Sequence, residues 1–368
     1  MIEIQGHYNT AKVFTDILEP AAESQIRHLL DQPFIADSKV RIMPDVHSGK
    51  VGVVGLTMTI TNKVVPNLIG LDGCCGIETA LINSKRIDLK QLDKAIHRLI
   101  PAGSNVRGTP HHFNEDIDLA SLRCADHVDI DRAVFSLGTL GGGNHFIEVG
   151  QDEDGQFYLI VHSGSRCLGA HVCEYYQNAG ANALGRRGAG ADRALAYVGG
   201  TYLKDYLFDM RIVQKYADLN RKAIVRDIAK QVKLKIVDQF DTIHNYIDLE
   251  SMILRKGAVS AQNGERILLP MNMRDGSLLC VGKGNDDWNC SAPHGAGRVL
   301  SRKEAKEKIT LSQYEKSMKG VFSTTVTRAT LDESPFAYKP VAELVENSIA
   351  TLSIVKTIKS VYNFKAGQ

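Results

Sequence analysis

The sequence predicts an α+β fold on three observations. Short β-rich apolar stretches are bounded by glycine, asparagine or aspartate, longer segments carry helical spacing, and no internal repeat or Pro/Ser-rich linker divides the chain. In chain order, "VGVVGLTMTI" (51–60) and "GIETALI" (76–82) read as buried strands. "DLKQLDKAIHRLI" (88–100) follows with helical spacing, and "FYLIVH" (157–162) is a third buried strand. The segment from Leu203 to Phe240 reads as a long helix, with Leu207, Ile212, Tyr216, Leu219, Ala223 and Ile224 near one face. "VAELVENSIATLSIVKTIKSV" (341–361) reads as a late helix. One continuous domain over residues 1–368 is expected, with functional residues at strand ends and in glycine-rich turns.

Composition narrows the class. A chain of 368 residues with 43% hydrophobic and 23% charged residues can bury a sizeable core and matches an ordinary globular protein. No apolar run approaches the roughly 18–20 residues of a membrane span, so no membrane partner is expected. The start, "MIEIQGHYNTAKVF", lacks the basic and apolar regions of a signal peptide, and the expectation is a reducing cytoplasm in which the seven cysteines are thiols. A net charge of +2 means that a polyanionic partner must be met by a local patch.

The turns hold unusual residues. "GLDGCCGIE" (70–78) spaces Asp72 and Cys75 as D-x-x-C in a glycine-bracketed turn, where two ligands can converge because the backbone is free to take positive φ. Taken alone, Cys75 reads equally as a buried structural thiol. "SLGTLGGGNHFIEV" (136–149) presents Asn144 and His145 after a flexible turn resembling a phosphate cradle. "VHSGSR" ends a strand with His162 and Arg166, and "TIHNYIDLE" (242–250) adds His244 at the end of the long helix. Together Asp72, Cys75, His145, His162 and His244 offer carboxylate, thiolate and imidazole donors, enough for two metals sharing a thiolate.

"SAPHGAGRVLSR" (291–302) places His294 among small residues, followed by Arg298 and Arg302 a helical spacing apart. Guanidinium forks bind phosphate oxygens in pairs, and small neighbours leave room for a nucleotide. His294 is either a further metal ligand or a nucleophile that attacks an α-phosphate and splits one phosphoryl transfer into two easier ones.

"MPDVHSGKVG", "GLDGCCGIE", "GTLGGGNHFIEV", "HSGSRCLG", "IHN" with "RKGA", and "HGAGRVLSR", in that order, resemble the successive motifs of the RtcB family of tRNA-splicing and RNA-repair ligases. The resemblance implies an α+β fold of mixed and antiparallel sheets around a central metal-containing cleft with flanking helices. It also implies a GTP- and manganese-dependent enzyme with two Mn(2+) ions. Such an enzyme joins RNA 3′-phosphate or 2′,3′-cyclic phosphate ends to 5′-hydroxyl ends through a guanylylated histidine and an RNA(3′)pp(5′)G intermediate. Carried over, Asp72, Cys75, His145, His162 and His244 are metal ligands with Cys75 as the bridge, and His294 is the guanylylated nucleophile. Asn144, Glu148, Ser277, Tyr338 and Lys365 match the family's guanylate pocket, and Arg166, Arg298 and Arg302 fall on basic positions that would hold phosphates. Ligand softness by itself favours zinc at such a site, whereas the resemblance gives manganese. An activating protein and the oligomeric state stay open.

The chain also departs from the family pattern, with "SGKV" at 48–51, "PMNMRDGS" at 270–277 and Ala-Pro before His294, as a divergent branch would. Basic segments, "RKAIVRDIAKQVKLK" (221–235) and "LGRRGAGAD" (184–192), suit an RNA partner, although a solvated helix face explains the first equally well. Trp288 reads as a packing aromatic, His111-His112 as a surface pair and Cys74 as a bystander thiol. Two other classes use the same residues: a metal-dependent phosphoesterase in which His294 only binds phosphate, and a non-catalytic RNA-binding relative.

Overall fold

A computed structural model describes residues 1–185 and 192–366. The architecture is α+β, and among the described residues two large sheets carry the core. The six-stranded sheet runs Ile2–Gln5, Thr10–Val13, Val40–His47, Val54–Thr59, Ile253–Lys256, Asn245–Asp248. Its second and third strands are parallel, so the chain must cross over between them, and helix Pro20–Leu30 supplies the crossover. The seven-stranded sheet is antiparallel throughout, in the order Ile236–Ile243, Gly76–Ile82, Phe157–Ser163, Phe146–Gln151, Leu352–Lys365, Gly276–Gly282, Arg266–Asn272.

This second sheet positions the site. Side chains alternate faces along a strand. Leu159 and Val161 face the helix Gly200–Val232, packing with Ile224, Val225 and Ile228, while Tyr158 and Ile160 pack on the other face with Ile77 and Phe146. The same alternation turns His162 and Glu148 to that inner face. Antiparallel neighbours reverse direction, so the start of Gly76–Ile82, the end of Phe157–Ser163, the start of Phe146–Gln151 and the end of Ile236–Ile243 all lie at one edge. Register confirms it: Gly76 pairs with Ser163 and Ile243, and Phe146 with His162. Cys75, His162, His145 and His244 are the residues at those four ends.

The strands expected at 51–60, 76–82 and 157–162 form, as does the helix at 88–100, which Asp88 caps by accepting a hydrogen bond from the Gln91 amide. Two helices end sooner than their spacing predicts. The long one spans Gly200–Val232 and stops at Lys233, which takes a left-handed conformation (φ 57°), so Ile236–Ile243 is a strand and His244 follows a strand rather than a helix. The late one covers only Val341–Ser348, after which Leu352–Lys365 is a strand. Its β-branched Ile354, Val355, Thr357, Ile358 and Val361 favour extended backbone, and its pairing between Phe146–Gln151 and Gly276–Gly282 overrides the apparent helical period.

Trp288 is buried and stacks on Phe14, as a packing aromatic should. The seven cysteines are free thiols. Of the His111-His112 pair, His111 is buried 3.5 Å from the Asp227 carboxylate, and only His112 is at the surface. The basic segment at 221–235 is not a uniform solvated face, because Arg221 is fully buried. Residues 186–191 of the other basic segment lie outside the described residues.

Candidate active site

Cys75 stands at the centre of a buried cluster. Its Sγ is 3.3 Å from His145 Nε2 and 3.1 Å from His162 Nε2, and His162 Nε2 is 2.9 Å from His244 Nε2. His145 Nδ1 donates to the Leu140 carbonyl at 2.8 Å and His162 Nδ1 to the Asn144 carbonyl at 3.1 Å, which fixes both rings with Nε2 unprotonated. Burial, with help from the Arg166 charge, lowers His145 to about 3, and burial lowers His162 and His244 well below the usual histidine range. Burial also pushes the Cys75 thiol up, Asp72 adding to the rise and Arg221 opposing it. Neutral imidazole lone pairs crowded on one sulfur fit a divalent transition metal, which would displace the thiol proton on binding.

Of the five sequence-predicted ligands, the structure brings these four together. Cys75, His162 and His244 have donor atoms within 4.8 Å of one another, and His145 reaches the group through Cys75. Asp72 stands apart and exposed, ending the turn Gly70–Asp72 on the wall of the same cavity.

His294 follows the short strand Ser291–Pro293 and faces this cluster. Its Nδ1 lies 2.7 Å from Oδ2 of the fully buried Asp45, and its backbone N–H donates to the same oxygen at 3.2 Å. Nδ1 therefore carries the proton and Nε2 keeps its lone pair. The ring stacks on His244, centroids 5.0 Å apart and planes 16° from parallel. Gly257 makes room for it: φ there is +61°, and a Cβ would stand 3.3 Å from His294 Cε1 and 2.1 Å from Val54 Cγ1.

A cavity of about 860 Å³ runs past His162, His244 and His294 to Asn144, Glu148, Tyr338 and Lys365. At that far end Glu333 is a hub. Lys365 Nζ lies 2.7 Å from Glu333 Oε2, the Tyr338 hydroxyl donates to the same oxygen at 2.7 Å, and Arg302 reaches Oε1 at 2.8 Å. Burial alone would raise Glu333, yet Lys365 and Arg302 hold it down to about 2. Arg298 stacks over the Tyr338 ring, its centroid 5.0 Å away. Burial pushes Glu148 up to about 8, with Asn363 and the Lys365 charge opposing the rise. Asn363 Nδ2 donates to one of its oxygens at 2.9 Å, while Glu148 Oε1, Asn363 Oδ1 and the adjacent Ser277 hydroxyl are buried without partners. Partnerless buried polar atoms cost stability and mark a place where a polar ligand would compensate.

Arg166 does not line the cavity. Its guanidinium sits behind His145 where a Cβ of Gly141 would lie, and its Nε donates to Thr139 Oγ1 at 3.2 Å. Arg298 and Arg302 do line it, although both are engaged with the 332–333 segment. Asp45 and Glu333 were not among the sequence-predicted site residues. Asp45 lies inside the "MPDVH" motif and Glu333 five positions before Tyr338, so proximity to residues already singled out was the available signal.

The model of a family described as tRNA-splicing ligase RtcB matches residues 25–123 and 112–366. The chain is 29% identical to the RNA-splicing ligase RtcB of Escherichia coli K12, with 94% of each chain covered. It is 28% identical to the tRNA-splicing ligase RtcB of Aeropyrum pernix, with 83% of each covered, and 26% identical to the RNA-splicing ligase RtcB of Mycobacterium bovis, over 83% of this chain and 91% of that one. Among the described residues no helix is long and apolar enough to cross a membrane.

Proposed function

This chain belongs to the RtcB family of tRNA-splicing ligases, and from that premise we propose that it is a cytoplasmic RNA ligase joining a 3′-phosphate or 2′,3′-cyclic phosphate end to a 5′-hydroxyl end at the expense of GTP. The observation that carries this reading is His294, with Nδ1 on buried Asp45 and Nε2 free beside the Cys/His cluster. Nε2 attacks the α-phosphorus of GTP, the new N–P bond replaces the bond to the departing pyrophosphate, and Asp45 stabilises the imidazolium charge that develops. An oxygen of the RNA 3′-phosphate then takes GMP and regenerates His294. The 5′-hydroxyl attacks that 3′-phosphorus, losing its proton, and GMP leaves. A cyclic end is first opened by water. Cys75, His145, His162 and His244, with Asp72 swinging in, would hold two manganese ions, which supply Lewis-acid polarisation of the phosphates. Arg298 and Arg302, on the cavity lining, would hold phosphates, and Arg166 would support His145 from behind. The single domain expected from sequence is supported by a cavity whose lining runs from His47 to Lys365.

The end chemistry has a direct assay. Two nicked RNAs of one sequence but opposite ends are offered with GTP or ATP and manganese. Sealing of the 3′-phosphate/5′-hydroxyl nick with GTP alone is expected. Sealing of only the 5′-phosphate/3′-hydroxyl nick refutes the proposal, and cleavage without sealing favours a phosphoesterase.

Glu148 and its unpartnered neighbours are the guanine-reading end of the pocket in this proposal. A carboxylate accepts from guanine N1–H and the 2-amino group, and adenine lacks that donor pair. Because burial raises Glu148 to about 8, nucleotide binding at lower pH must release its proton. GTP affinity of the His294→Ala variant should rise as pH climbs from about 6 to 8, by at most about tenfold per unit, and level off above. Glu148→Gln should flatten this profile and cut the preference for GTP over ATP by about 10- to 100-fold. Calorimetric titration showing an unchanged profile and preference would remove Glu148 from this role.

A further inference from the structure

Two consecutive residues of the helix Gly200–Val232, Asn220 and Arg221, reach the back of the Cys/His cluster, and neither is exposed at all. Asn220 Oδ1 accepts from the Gly138 and Thr139 amides at 2.7 and 3.1 Å, and its Nδ2 donates to Ser163 Oγ and the Gly164 carbonyl, both at 3.0 Å. Ser163 Oγ in turn donates at 2.8 Å to the Leu140 carbonyl, the oxygen that also accepts from His145 Nδ1. Asn220 thus ties the turn that orients His145 to the strand end that carries His162. Arg221 Nη1 donates to the Cys74 carbonyl at 3.1 Å and to the Ser163 carbonyl at 3.3 Å. Its Nη2 is 3.5 Å from the Asp241 carboxylate, three residues before His244.

We propose that Asn220 and Arg221 are positioning residues for a metal centre, one bracket on one helix that sets the strand ends bearing Cys75, His145, His162 and His244 at ligating separation before any metal arrives. Filling the core does not require it. Apolar side chains would pack that face of the helix, whereas Arg221 Nη1 is spent on the carbonyls of Cys74 and Ser163, next to Cys75 and His162, and the Asn220 amide on the 138–139 turn and the 163–164 strand end. Preorganised supports beyond the ligands raise metal affinity because the ordering cost is met during folding.

The inference rests on the reading of the cluster as a metal site, and one experiment separates the two. Full-length wild type, Arg221→Met, Arg221→Lys and Asn220→Ser are titrated with Co2+ alone, reading the thiolate-to-cobalt charge-transfer absorption and the rise in Tm on metal addition. Wild type should bind. Arg221→Met should bind about 10- to 100-fold more weakly with a diminished charge-transfer band, Arg221→Lys recovering part of both. Asn220→Ser should also be weakened. A purely structural role lowers Tm equally with and without Co2+ and leaves affinity and band unchanged, and that result overturns the proposal. Should Arg221→Met fail to fold, Asn220→Ser decides on the same readouts. A wild type that binds no Co2+ overturns the metal-centre reading and this inference with it.

Discussion

His294→Ala should abolish the proposed covalent GMP adduct, lowering its rate of formation by on the order of four powers of ten or more. The expectation rests on the environment of His294. Its Nδ1–H is committed to Asp45 Oδ2 at 2.7 Å, the backbone N–H of the same residue holds that oxygen from a second direction, and Asp45 has no exposure to water that could loosen the pair. Nδ1 therefore carries the proton in this arrangement, and Nε2 keeps the lone pair that the proposed attack would use. Two other histidines of the cavity differ: His162 is tied to the Asn144 carbonyl with Nε2 against Cys75, and His244 Nε2 faces His162, while His47, on the same lining, has Nδ1 on the Asp45 carbonyl at 2.9 Å. Neither the His162 nor the His244 Nε2 is free for an incoming phosphorus. Asp45→Asn leaves the shape but removes the charge that stabilises the imidazolium and the unambiguous choice of tautomer, so it should slow adduct formation by about 10²- to 10⁴-fold. Intact-mass measurement after incubation with GTP and manganese reads both variants. An adduct that persists in His294→Ala, or that maps to another residue, refutes the assignment.

Cys75→Ala should remove both of the proposed metal ions and, with them, guanylylation. The thiol is within 3.3 Å of His145 Nε2 on one side and within 3.1 Å of His162 Nε2, next to His244, on the other. A sulfur between two imidazole groups is the one donor that two ions could share, so its loss strips a bond from each. His244→Ala takes a ligand from one ion only and should retain the other. Metal content after gel filtration should fall from two ions towards none in Cys75→Ala, with adduct formation down by on the order of 10³-fold. Near-normal metal content together with near-normal adduct formation would rule out the shared thiolate.

Much of the chemistry was legible before folding. Cys75, His145, His162 and His244 were visible as ligand-type residues in or beside turns, and the strands at 76–82 and 157–162 were visible as short β-rich, largely apolar stretches. Both signals are local, because a buried strand or a ligand next to glycine leaves its mark within a few residues. The split of 341–361 into a helix and a strand was not legible, since Leu352–Lys365 is extended on account of its two neighbours in the sheet.

Which residue types the site contains was thus determined by the sequence, while which of them meet was decided by the tertiary structure. The Asp45–His294 pair joins positions 249 apart, and Lys365 meets the carbonyl of Asn144 from 221 residues away. Periodicity reports that a residue is buried and says nothing about what covers it. Partners are set by strand order and register, and the antiparallel reversal of four neighbouring strands is what gathers Cys75, His145, His162 and His244 at one edge. The same long-range geometry put Arg166 behind His145 instead of in the cavity, and kept Asp72 out of the cluster that its spacing to Cys75 had suggested it would join.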